Sequence, residues 1–209
     1  MNTLIKDGRV IDPANNIDDV QDLYISKGRV AALGRAPAGF HADQILDAKG
    51  LVVCPGLVDL QARLREPGEE HKATLKSELA AAVAGGITTI CCPPDTDPVI
   101  DTPAMVQMIR QKAEEINLAK VHPVGALTRG LAGKQLTDMA SLQEAGCVAL
   151  GNAEKAVDNT LVMRRAMQYA TTFNLVVFLN ALDPWLKGNG CVHEGEVSTR
   201  LGLPAVPEA

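Results

Sequence analysis

Aromatic side chains are scarce in this chain of 209 residues, which has one Trp, two Tyr and three Phe. Ala and Gly are plentiful instead, and small residues suit close packing of helices on a sheet better than the core of an all-β sandwich. A basic excess is also lacking. The net charge is −5, and no basic stripe offers a footing for nucleic-acid phosphates. No run of about 18 apolar residues is present to span a membrane. The opening stretch MNTLIKDGRV lacks the apolar segment of a secretory signal. Five cysteines (Cys54, Cys91, Cys92, Cys147, Cys191) form an odd set without C-x-x-C spacing. They read as reduced, mostly buried thiols of a cytoplasmic protein, not as a disulfide framework or a redox pair. His41, His71, His122 and His193 are scattered without metal-ligand spacing, so surface or structural roles are expected.

What remains is an ordinary globular composition, 46% hydrophobic and 22% charged, enough for one large domain or one with a small companion. Residues 1–54 read as short strands separated by Asp7-Gly8, Lys27-Gly28 and Lys49-Gly50 turns, hence a small antiparallel β region. There, Leu23 and Ile25 alternate with Tyr24 and Ser26, as in a half-buried strand. From residue 55 the pattern becomes strand, helix, strand, helix. GLVDLQA, ITTICCP, KVHPVGALT, CVALG and NLVVFLN are strand-like. HKATLKSELAAAVAGG places Leu75, Leu79, Ala82 and Val83 on one helical face. DTPAMVQMIRQKAEEI starts with Thr102 as N-cap and Pro103 at the first helical position. A short helix is expected around DMASLQEAG, and DNTLVMRRAMQYATTF aligns Val162, Ala166, Tyr169 and Ala170.

Repeated βα units build a parallel sheet, either doubly wound or closed as a barrel. No G-x-G-x-x-G follows the first strand, which favours the barrel. Five strands are visible where a closed barrel has eight, so a longer parent chain or a covering partner is expected. One stretch stands out. In PGLVDLQARLREPG the residues Asp59, Gln61, Arg63 and Arg65 recur at period two, which in a strand directs all four side chains to one face.

ILDAKGLVVCPGLVDLQARLREPGEEHKATLKSELAAAVAGGITTICCPPDTDPVID, CVALGNAEKAVDNTLVMRRAMQYA and HEGEVSTRLGLPAVPEA together resemble the dihydroorotases of the cyclic amidohydrolase superfamily. The resemblance covers nearly the whole chain. It implies an α/β fold: a (β/α)8 TIM-type barrel, with about its first five βα units present over 55–209, and a sandwich-like N-terminal β region over 1–54. It also implies Asp-x-His-x-His at the end of the first barrel strand, binding zinc, and an Arg-Glu-Pro-Gly tail whose Arg holds the substrate carboxylate. Asp59 and the tail from Arg65 to Gly68 match, but Gln61 and Arg63 stand where the two histidines belong. Asp95 replaces the substrate-binding Asn after the second strand, Asn152 and Ala153 replace metal-site acids after the fourth, and Asn180 and Leu182 replace the His and Glu after the fifth.

Neutral amides are poor zinc ligands, and a guanidinium has no lone pair to give. At about 4 Å a guanidinium repels a divalent cation by roughly 8 kcal/mol at an effective dielectric near 20. The zinc site is therefore expected to be lost, with no other cofactor, and metal-dependent hydrolysis lost with it. Arg63 either supplies the charge that a metal would bring, or pairs with Asp59 or solvent after drift, or serves a new ligand site. Arg65 and Asp95 are substrate-binding remnants that can pair with each other. The resemblance extends to a non-catalytic dihydroorotase-like chain that, in some bacteria, is the cytoplasmic partner of the aspartate transcarbamoylase catalytic chain in a large hetero-oligomer of pyrimidine biosynthesis. Two alternatives stand beside that expectation: an active cyclic amidohydrolase with an atypical metal site, and a carboxylate sensor built on Arg65.

Overall fold

The computed structural model describes residues 1–181 and 183–208, which divide between two compact units, Met1–Gly56 and Leu57–Ala209. The first unit is a five-stranded sheet: β1 (Asn2–Asp12), β2 (Ile17–Ser26), β3 (Arg29–Leu33), β4 (Gln44–Asp47) and β5 (Val52–Val53). It is mixed, where the turn pattern predicts an antiparallel one. β1, β2 and β3 form a meander, and both β4 and β5 run parallel to β1. The segment after β3 carries the chain back across the unit, so β4 enters in the same direction as β1. Asp7-Gly8 is no turn. It is a bulge inside β1, with Asp7 at φ 57° and a register shift between Ile5 and Gly8. Lys27-Gly28 does turn the chain: two left-handed residues form the two-residue loop that joins β2 to β3. Tyr24 is the buried residue of β2, packed edge-on against Phe40 at 5.2 Å, while Leu23 and Ile25 are only half-buried.

In the second unit five strands alternate with four helices: β6 (Leu57–Asp59), α1 (Leu75–Ala84), β7 (Ile87–Cys92), α2 (Pro103–Ile116), β8 (Lys120–Ala126), α3 (Met139–Ala145), β9 (Ala149–Gly151), α4 (Thr160–Thr172) and β10 (Val176–Phe178). The five strands are parallel and lie in chain order, β6 to β10. A doubly wound sheet reverses its strand order partway, whereas consecutive order is that of a (β/α) barrel. The sheet is therefore a barrel arc flanked by helices.

Strand alternation sorts the side chains into two layers. Ile90, Cys92, Val121 and Leu150 pack outward against Leu79, Val106, Ile109 and Leu142 in the main core. Cys91, Val124 and Ala149 pack on the other face with half-buried Phe178. On the outer strands Leu57, Val58 and Val176 are exposed, the open edges of the arc. Burial keeps the core thiols protonated, with Cys92 and Cys147 pushed up to about 12.

The helices start where their caps direct. Thr74 and Ser77 form a capping box on α1, which buries Leu75 and Leu79 with Ala82 half-buried, but Val83 faces solvent. Pro103 opens α2, whose Val106, Ile109 and Ala113 are buried. Asp138 caps α3, and α4 buries Ala166 and Ala170. Pro123 fits inside β8 because it lies where that strand's pairing passes from β7 to β9. Beyond β10 lie α5 (Pro184–Lys187), β11 (Val192–His193), α6 (Glu196–Leu201) and β12 (Ala205–Val206), with β11 paired to β12. The sequence pattern did not announce these four. Among the described residues no helix is long and apolar enough to cross a membrane.

Candidate functional site at the C-terminal ends of the strands

In a βα barrel the loops after the strands build the site. β6 ends at Asp59, whose carboxylate accepts the Gln61 N–H at 2.9 Å. Gln61, Arg63 and Arg65 thus lie in a loop, and Arg65 is left-handed at φ 62°. The period-two alignment predicted for these four side chains ends with the strand. The two arginines make separate contacts.

Arg63 reaches the loops after β7 and β9. Its Nε donates to Asp95 Oδ2 at 2.7 Å and its Nη2 to Glu154 Oε1 at 3.0 Å. The Asp95 hydrogen bond raises the guanidinium's already high pKa further, so it stays charged. Arg65 pairs with Glu69 at 2.7 Å, and Lys72 bonds the same carboxylate. Lys72 first, then Arg65, hold Glu69 well below the usual carboxylate range, at about 2. The sequence offered Arg65–Asp95 and Arg63–Asp59 as pairs; the loop geometry instead gives Arg63 to Asp95 and Glu154 and leaves Asp59 to its own turn. Glu154 and Glu69 were missed. Their only signals were adjacency to Ala153 and a spacing of four from Arg65.

Asn152 is buried inside a closed hydrogen-bond network. Thr128 Oγ1 donates to its Oδ1 at 2.7 Å, and its Nδ2 donates to Lys155 O at 2.9 Å and Leu131 O at 3.4 Å. Thr128 Oγ1 in turn accepts the Gly133 N–H. Ala153 follows at φ 51°. Gln61, Ala153, Glu154 and Asn180 line an open cavity of about 280 Å3 with Leu60 and Phe178. Leu182 lies outside the described residues.

This donor set does not fit a divalent cation. Gln61 and Asn180 bring neutral amides, Arg63 a positive charge, Ala153 nothing, and the Asn152 oxygen already accepts a hydrogen bond. Among the described residues no group of three or more His, Cys, Asp or Glu could hold a metal ion.

The tail of the opening motif is architectural. Glu66 is buried; its Oε2 accepts the Leu75 N–H at the start of α1 at 2.7 Å, and its Oε1 pairs with Lys112 on α2. Gly68 sits at φ 103°, and a Cβ there would meet the Asp97 backbone oxygen at 2.5 Å.

The dihydro-orotase-like family matches residues 50–209. The chain belongs to the dihydroorotase-like family. A dihydroorotase-like protein of Pseudomonas putida is 48% identical over 209 residues, all of this chain and 49% of the relative. One of Pseudomonas aeruginosa is also 48% identical, and a dihydroorotase of Geobacter sulfurreducens is 43% identical, with 49% of each covered. The chain therefore spans about half the length of these curated relatives. Among solved structures, an L-hydantoinase (dihydropyrimidinase) from Arthrobacter aurescens superposes with a TM-score of 0.71 at 20% identity, over 91% of this chain and 45% of that one. That likeness carries the amidohydrolase barrel fold alone. It places this dihydroorotase-like chain's β6–β10 arc in a known architecture.

Proposed function

We propose that the chain is a catalytically inactive dihydroorotase homologue. In this reading it serves in the cytoplasm as a structural subunit that assembles the catalytic chain of aspartate transcarbamoylase, in a large hetero-oligomer of pyrimidine biosynthesis. The observation that carries the inactive reading is the donor set: a paired guanidinium and neutral side chains occupy the positions where the family resemblance implies zinc ligands. Without a metal to activate water and polarise an amide carbonyl, hydrolysis of a cyclic amide has no chemical driver here. The retained scaffold, with Glu66 and Gly68 in structural roles, supports a function that needs the fold and not the chemistry. The carboxylate-sensor alternative is weakened because Glu69 already engages Arg65.

Co-expression with the transcarbamoylase catalytic chain tests the assembly role. The expected result is co-elution in one large complex, with carbamoyl transfer reduced when this protein is withheld. A transcarbamoylase that assembles and turns over equally well without it contradicts the role.

A further inference from the structure

We propose that Arg63 is a built-in cation that clasps the mouth of the barrel arc, standing in for the metal ion that the resemblance implies. This rests on the metal-free reading of the site. One side chain binds acids 32 and 91 residues away in sequence, tying the loop after β6 to those after β7 and β9. A metal bridging carboxylates would link loops in the same manner.

Two features separate the Asp95 arm of this clasp from an ordinary surface ion pair, which contributes little; the Glu154 arm is the more exposed, with Glu154 54% exposed. First, the Arg63 and Asp95 side chains are only 30% and 24% exposed. Second, Asp95 depends on Arg63. The carboxylate's other oxygen, Oδ1, is buried without a partner, and Arg63 is the only side chain found bonded to Asp95 among the described residues. Removing the guanidinium leaves that carboxylate unanswered. The planar fork also matters. Nε and Nη2 hold two acids at a fixed angle, which the single point charge of a lysine cannot reproduce.

Each loop contains a hydrogen-bonded backbone amide that reports on it: Ala62 to Cys91 O, Asp97 to Pro67 O and Lys155 to Asn152 O. The experiment is residue-resolved hydrogen exchange of these three amides in the full chain, with and without added zinc. In Arg63→Met all three are expected to exchange about tenfold faster or more, together. In Glu154→Gln only Lys155 is expected to speed up, because Asp95 keeps its partner. Zinc is expected to leave the native pattern unchanged.

Arg63→Met accelerating only Ala62, or none of the three, overturns the clasp and leaves the metal-free reading standing. Should Arg63→Met fail to fold, an unchanged Lys155 in Glu154→Gln overturns it instead. Zinc protecting the three amides of the native protein overturns both the clasp and the metal-free reading.

Discussion

Asn152→Asp, which puts an acid at a position where the resemblance implies one, is expected to destabilise the fold by about 3 kcal/mol. The side chain is 2% exposed, and its Nδ2 donates to two backbone carbonyls, Lys155 O and Leu131 O. A carboxylate of the same shape turns an oxygen toward those carbonyls, replacing two attractions with repulsion in a buried setting. The Thr128 hydroxyl can still donate to one oxygen, so the loss is partial and the fold should survive. Urea titration of both proteins measures the difference. The sign with pH is a check on the cause. Protonating the introduced carboxyl restores a donor, so the penalty should shrink as pH falls. A neutral substitution would contradict the structural knot, and one that gains stability when zinc is added would mean that Asn152 occupies a latent metal site.

Glu66→Ala has the second large expected effect, about 2–3 kcal/mol. Glu66 is buried and supports two helices at once: it accepts the first N–H of α1 and neutralises Lys112 of α2. Alanine leaves a helix N-terminal donor unsatisfied and a cation without its acid. Glu66→Gln keeps a carbonyl oxygen for the Leu75 N–H and gives up only the charge pairing, so its cost should be about half as large. Thermal or urea unfolding of the pair separates the two contributions. Equal losses in both variants would assign the whole effect to the Lys112 contact.

Structural roles account for a pattern that the motif alone left puzzling. Asp59, Glu66 and Gly68, which lie beside the positions where the resemblance implies ligands, each serve the fold. Asp59 stabilises a turn, Glu66 caps a helix, and Gly68 permits a close backbone approach. Gln61 and Asn180 face an open cavity, where neither shape nor hydrogen bonding dictates a histidine. Chemistry can leave such positions without disturbing the core.

The barrel arc was legible because its signals are local. β-branched runs such as Ile87–Cys92, the apolar face of Leu75 and Leu79, and Pro103 at the first position of α2 each specify an element without reference to distant residues, although Thr102, expected as the N-cap of α2, makes no side-chain capping bond. The sheet of the first unit was less so. The parallel pairing of β4 and β5 with β1 depends on contacts some 40 residues apart, and the bulge at Asp7-Gly8 carries the same residues as a turn. In the site, residue identities were readable but partners were not. Arg63 finds Glu154 across 91 residues, and the left-handed backbone at Arg65 breaks the periodicity that would have aligned it with Arg63. Loop conformation decides both, and short-range pattern does not encode it.

In the proposed reading the site has exchanged a metal for side-chain contacts. The most direct test of that reading is zinc content by elemental analysis, on protein purified without chelator and dialysed, paired with a dihydroorotate hydrolysis assay. Far less than one zinc per chain and no chelator-sensitive hydrolysis are expected. Stoichiometric zinc that survives dialysis, with hydrolysis abolished by chelation and restored by the metal, would contradict that reading.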